Sequence, residues 1–206
     1  MTHTLHRRGS AESLADDFVV FAIAAQGFNA EGAAKKFEKF FEIVKKYNPN
    51  NFGDMRTGNS LVAGEDVIRK SFKDNSIVHA VFNDEDTVTK VLKELKDADL
   101  GLSIVVSGLV HKTGECCKKV GLEMHTVEKS LGIIGNTSRL PDESVLEVTT
   151  MCGHGMIAFN LVKKLADDVK KGRTSPDKAA KEIAKQCVCG VVNIPRVERL
   201  IKAMAS

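Results

Sequence analysis

Aromatic residues and net charge are both scarce in this 206-residue sequence. It has no tryptophan and one tyrosine, and 30 basic residues face 27 acidic ones, which leaves a formal net charge of +3. Nucleic-acid binding relies on clustered positive charge and, for single strands, on aromatic side chains that stack against bases. We therefore expect no nucleic-acid partner.

Long apolar runs are also missing. No stretch approaches the roughly 18 consecutive apolar residues that a membrane-spanning helix needs, so no membrane association is expected. Residues 1–8 carry positive charge, but no apolar run follows before Phe18, which is unlike a secretory signal peptide. The expected location is the cytoplasm, where thiols stay reduced.

Short apolar runs alternate with amphipathic helical patterns over the first 140 residues. The runs predict strands at 18–24, 77–82, 100–106 and 124–134. Helical periodicity predicts helices at 30–47, 65–72, 84–97 and 109–120. Gly53 to Gly64 is predicted to be a loop. The alternation indicates an α/β fold, a sandwich of one sheet with packed helices.

From about residue 141 the strand signals fade and helical patterns replace them. Helices are predicted at 156–171, from Ser175 to about Gln186, and after Pro195. We therefore expect an α/β body over residues 1–140. A helical C-terminal segment over 141–206 is expected to pack on that body.

Five cysteines in three short clusters are the most informative feature of the chain. The clusters are Cys116 with Cys117, Cys152 within Met-Cys-Gly-His-Gly-Met, and Cys187 with Cys189 within Cys-Val-Cys-Gly. An odd number of cysteines argues against a disulfide framework. A glycine next to a ligand cysteine permits positive φ and brings backbone N–H groups close to the sulfur. The pattern favours a thiolate-bound metal centre, and all five cysteines are candidate ligands.

An iron–sulfur cluster of the 4Fe–4S type is the leading cofactor hypothesis, since widely spaced cysteines on several elements can hold one. Three ligands from three clusters would leave one iron open as a Lewis acid. Zinc is the alternative, although Cys-x-x-Cys knuckles are absent. Two further alternatives need no metal. The cysteines could be small buried hydrophobes, or they could be the thiols of a redox enzyme. We expect the clusters to meet between the body and the C-terminal segment, which carries Cys152, Cys187 and Cys189.

A few polar residues near predicted helix starts are further candidates. His154 lies between two glycines beside Cys152, and we expect it to act as the catalytic acid or base, with a role as a ligand as the alternative. Ser107, Asn59 and Ser60 are candidate contacts for an anionic ligand, because they lie in loops that precede helices. Neither loop is a P-loop or a dinucleotide-binding fingerprint.

These features lead to one functional hypothesis and two alternatives. The first is an iron–sulfur enzyme, a lyase, hydratase or sulfur-transfer enzyme that acts on a small anionic substrate. The second is a non-catalytic iron–sulfur or zinc protein, such as an electron carrier, a cluster carrier or a sensor. The third is a metal-free α/β module that binds a small molecule. The sequence leaves the substrate and the oligomeric state open.

Overall fold

Two layers of helices enclose one five-stranded sheet in the computed structural model, which describes residues 4–206. The strands are β1 (Phe18–Ile23), β2 (Asn51–Asp54), β3 (Gly58–Asn59), β4 (Ile77–Phe82) and β5 (Ser103–Ser107). The helices are α1 (Ala33–Lys45), α2 (Glu65–Lys70), α3 (Glu85–Ala98), α4 (Val110–Lys119), α5 (Glu143–Thr149), α6 (Phe159–Lys170), α7 (Pro176–Gln186) and α8 (Ile194–Ala205). The predicted α/β sandwich with a helical C-terminal segment is confirmed.

The sheet is antiparallel throughout, in the order β3-β2-β4-β1-β5. Strands β1 and β2, joined through α1, run parallel with β4 between them. Strands β4 and β5, joined through α3, run parallel with β1 between them. Two interleaved βαβ units of this kind form a split βαβ topology, which hosts many functions and identifies none.

The apolar sequence of β1 follows from its burial on both faces of the sheet. Val19 and Phe21 pack into the core beneath α5–α8, which we call the C-terminal core. Phe18, Val20 and Ala22 pack into the opposite core with α1 and α3, which we call the N-terminal core. A strand covered on both faces reads as a continuous apolar run. The run therefore identified a central strand correctly.

Two local predictions are wrong. Residues 124–134 contain no strand, and Leu131 and Ile134 are 87% and 83% exposed. Their apolar residues do not recur at every second position, so no strand face can be buried. Strands β2 and β3 occupy the segment predicted as a loop. Their polar and glycine-rich sequence adopts strand conformation because β2 pairs with β4.

A buried ion network joins the N-terminal segment to α8. The Arg196 guanidinium donates to Asp17 Oδ2 at 2.8 Å and to the Arg8 carbonyl at 2.7 Å. Arg7 forms a second ion pair with Asp17, and it also donates to the Val191 carbonyl. Both side-chain partners of the Arg196–Asp17 pair are at most 1% exposed. The network therefore fixes the start of α8 and the loop that precedes it.

Crossing a lipid bilayer requires a helix of about 20 predominantly apolar residues. Within the part of the chain that the structure describes, no helix has both the length and the apolar character needed to cross one.

Candidate functional site

Three of the five cysteines meet in the C-terminal core. The sulfurs of Cys187 and Cys189 are 3.7 Å apart, and the Cys152 thiol is hydrogen bonded to Cys187. Nδ1 of His154 lies 3.9 Å from the Cys189 sulfur. All three cysteines are at most 3% exposed, whereas His154 is exposed. Three sulfurs and one imidazole nitrogen thus form a continuous group, which we call the thiol cluster.

The loop between α5 and α6 shapes one side of the thiol cluster. Gly153 and Gly155 adopt φ angles of 71° and 70°, a region that favours glycine. The chain therefore curls around Cys152, and its sulfur accepts hydrogen bonds from the backbone N–H groups of His154 and Met156. Backbone N–H groups aimed at a sulfur stabilise the thiolate form that binds a metal.

The loop between α7 and α8 forms the other side. Cys187 ends α7, and a turn follows in which the Gly190 N–H donates to the Cys187 carbonyl at 3.0 Å. Gly190 has a φ of 81°. The Val191 N–H is a hydrogen-bond donor to the sulfurs of both Cys187 and Cys189. Both cysteine loops therefore direct main-chain donors at their own sulfurs.

The β2–β3 hairpin contacts the loop between α7 and α8 and holds its backbone. The Asn59 side chain donates to the Cys187 carbonyl at 2.8 Å, and Asn51 donates to the Val192 carbonyl at 3.0 Å. A methyl group placed on Gly53 would come within 2.3 Å of the Cys189 carbonyl oxygen. The loop thus lies directly on the hairpin backbone, at a place where only glycine fits.

Gly53→Ala is expected to destabilise the protein by about 1–3 kcal/mol, because the new methyl group would displace the backbone at Cys189 and Gly58. Gly114→Ala is the matched control. Gly114 lies within α4, where the nearest atom to a new methyl group is the flexible end of Met124, so alanine should be neutral or stabilising. Urea unfolding measures both variants. Equal stabilities of the two would contradict the close contact.

The three thiols form an ordered chain of hydrogen bonds. The hydrogen bond between the Cys152 and Cys187 thiols, together with burial, raises the pKa of Cys152 far above its ordinary value. For Cys187 the bond from Cys152 lowers the pKa, but the contact with Cys189 and burial outweigh it and raise the pKa to about 11. The bond from Cys187 lowers the pKa of Cys189 despite burial. Cys189 is therefore the thiol of the three that ionises first.

The structure does not bring the first cysteine pair to this group. Cys116 and Cys117 lie on α4, where Cys116 is fully buried in the N-terminal core on the other face of the sheet. The Cys116 thiol donates to the Glu85 carbonyl at 3.6 Å. Burial raises the pKa of Cys117. Both residues lie apart from the thiol cluster, and we leave them out of the ligand set considered below.

Two of the three candidate anion contacts bond within the protein, and the third lines a cavity. All the polar atoms of the Asn59 side chain are used internally, since Oδ1 accepts from the N–H groups of Leu61 and Val62. The Ser60 hydroxyl donates to Asn51 Oδ1 at 2.8 Å. Ser107 ends β5 and lines a cavity at the sheet edge. Asn59 and Ser60 therefore support the cysteine loop through the hairpin rather than facing a ligand.

The thiol cluster approaches the dimensions of a metal site without completing it. Ligands at about 2.3 Å and 2.0 Å from a tetrahedral zinc ion place two sulfurs about 3.8 Å apart and a sulfur and nitrogen about 3.5 Å apart. The Cys187–Cys189 separation of 3.7 Å fits, and the Cys189–His154 separation of 3.9 Å is slightly long. Across residues 4–206, no three His, Cys, Asp or Glu side chains stand ready to coordinate an ion.

Comparison with known proteins adds no relative. No protein-family model matches this chain, and no curated protein or solved structure matches it. The residues of the thiol cluster therefore carry the functional inference.

Sequence reasoning missed the supporting residues Asn51 and Gly53. The Asn51 side-chain amide bonds to the backbone of the cysteine loop. Gly53 lets the same backbone approach closely because it has no side chain. Both lie more than 130 positions from the loop that they hold. A polar, glycine-containing segment carries no periodicity that would have announced such a contact.

Proposed function

We propose that this chain is a metalloprotein in which the thiolates of Cys152, Cys187 and Cys189 bind a single zinc-type ion, with His154 as the fourth ligand. The observation that carries the proposal is the contact of three buried sulfurs from two separate loops. Backbone N–H groups in both loops point at those sulfurs. Buried thiols that serve only as packing need neither feature.

The sulfur spacing supports one ion over a cluster. Two thiolates on the same zinc ion lie about 3.8 Å apart, close to the 3.7 Å between Cys187 and Cys189. In an iron–sulfur cluster the cysteines bind different irons, so the body of the cluster separates their sulfurs. Zinc, the alternative that the sequence left open, therefore becomes the leading ion.

A small movement of one exposed loop would bring His154 to ligand distance from Cys189. His154 must approach Cys189 by a few tenths of an ångström, and it is flanked by Gly153 and Gly155. The sulfurs are held from several sides, by the hairpin and by backbone donors. We therefore expect three fixed thiolates and one ligand position that is easily exchanged.

An iron–sulfur cluster with an open iron is the second candidate. Three cysteines converge and not four, which would leave one iron without a protein thiolate. In that centre the open iron would lie near the exposed His154, where a Lewis-acidic iron could hold water or a substrate beside a proton carrier. The lyase, hydratase or sulfur-transfer reaction on a small anionic substrate stays a prediction.

Metal and sulfide analysis of anaerobically purified protein tests the proposal. We expect about one zinc ion per chain and no acid-labile sulfide. Stoichiometric iron with acid-labile sulfide would contradict the zinc site and support the iron–sulfur cluster instead. A protein that stays metal-free after reconstitution with zinc, and separately with iron and sulfide, would overturn both.

A further inference from the structure

A cavity of about 850 Å³ lies along β5, one of the two edge strands of the sheet. The β2–β3 hairpin that supports the thiol cluster is at the opposite edge. Every residue of β5 lines the cavity. Residues from α3 and α4 form further walls, together with Thr4, Leu5 and Arg7. Residues 122–130, which we call the strap, form the last wall. The cavity volume lies within the range of ligand-binding cavities.

The edge of β5 that faces this cavity has no backbone partner. Strand β5 pairs with β1 on one side only, and none of its backbone groups is bonded to the strap among residues 4–206. An open strand edge presents N–H and C=O groups that pair readily with another extended chain. The cavity therefore contains a row of directional donors and acceptors along its length.

A buried polar group in the cavity wall also lacks a partner. Thr113 is 8% exposed, and its hydroxyl has no hydrogen bond to any described residue. The Nε–H of Arg7, another lining residue, is buried and unpaired in the same way. Leaving a buried polar group unpaired costs about 1–3 kcal/mol, so such groups in a cavity indicate a missing hydrogen-bonding ligand.

We propose that the cavity binds an extended apolar peptide, which adds to β5 as a sixth strand. Main-chain pairing satisfies the open edge, as in other recognition by strand addition. The five residues of β5 span roughly 17 Å, which sets the length of the bound segment at about five residues. Four apolar residues line the cavity, namely Leu14, Ile23, Leu92 and Leu109. Ile23 and Leu92 belong to the cores on opposite faces of the sheet, so the walls accept side chains that alternate between the two sides of the peptide.

Selection from a phage library of random octapeptides, on the full-length protein, provides the probe. We expect one family of apolar sequences to be enriched, and the synthetic peptide to slow deuterium exchange at the amides of β5. A peptide N-methylated at alternate residues keeps its side chains but loses N–H donors, and it should bind at least about tenfold more weakly. No enrichment, binding without protection of β5, or equal binding of the methylated peptide would overturn the proposal.

Thr113→Val separates a role in binding from a role in folding. Valine has nearly the same shape and removes the unpaired hydroxyl, so the free protein should be as stable as the parent or more stable. The selected peptide should nevertheless bind the variant about five- to tenfold more weakly, by loss of one hydrogen bond. Unchanged affinity would contradict a role for this hydroxyl in the site.

Discussion

Cys187→Ser is expected to reduce the zinc affinity by about 100-fold or more, which abolishes stoichiometric metal in the purified protein. Cys187 is the most informative of the three ligands because its thiol contacts both Cys152 and Cys189. A serine hydroxyl is a poor ligand for a soft metal ion and cannot replace the thiolate.

Cys117→Ser is the matched control for that experiment. Cys117 is partly exposed on α4, apart from the thiol cluster, so its replacement should leave the metal content unchanged. Metal content by elemental analysis and folding by circular dichroism are compared for both variants. Full metal content in Cys187→Ser, or loss of metal in Cys117→Ser, would show that the ligand set is wrong.

Asp17→Asn is expected to destabilise the protein by about 3–5 kcal/mol, the range found when one partner of a buried ion pair is removed. Its carboxylate is the acceptor shared by Arg7 and Arg196, which would otherwise face each other with the more distant Glu147, at 3.5 Å from Arg196, as the remaining counterion among the described residues. The neighbouring Asp16→Asn is the control. Asp16 pairs with the half-exposed Arg199, so its loss should cost at most about 1 kcal/mol. Urea unfolding at pH 7 measures both, and equal effects would contradict the burial of the network.

The Asp17 carboxylate also makes the stability of the parent protein depend on pH. Burial raises the pKa of Asp17, but Arg7 and Arg196 outweigh it and hold the pKa below the ordinary value of 3.8. A depressed pKa contributes stability above pH 3.8 that is lost as the pH falls through the lower value of the folded state. The stability difference between the parent and Asp17→Asn should therefore shrink below about pH 4.

The layered fold was accessible from the sequence because its signals are local. The run at β1 follows from burial on two faces, and the start of α7 follows from Ser175, whose hydroxyl accepts from the Lys178 N–H at 3.3 Å. The sheet topology was not accessible. Whether a strand pairs with the next one or leaves a gap depends on contacts that no local pattern encodes, and β2 became a strand through pairing with β4.

Three of the five cysteines that the sequence singled out lie in the thiol cluster, and two do not. Neighbouring glycines account for part of this difference. Cys152 and Cys189 are each followed by glycine, and both lie in the thiol cluster. Cys116 and Cys117 have no following glycine and sit within a regular helix, where the backbone N–H groups are already bonded. The adjacent glycine was thus an informative signal for Cys152 and Cys189, whereas Cys187, which Val188 follows, was found by its spacing from Cys189. That the α5–α6 and α7–α8 loops meet on one face of the sheet required the structure.

Zinc K-edge X-ray absorption of the zinc-loaded protein tests the central claim most directly, because it counts the atoms bound to the ion. The proposed site predicts three sulfur atoms at about 2.3 Å and one nitrogen at about 2.0 Å. Cys187→Ser should lose this sulfur shell, whereas Cys117→Ser should keep it. A shell of nitrogen and oxygen alone would contradict a metal centre built on Cys152, Cys187 and Cys189.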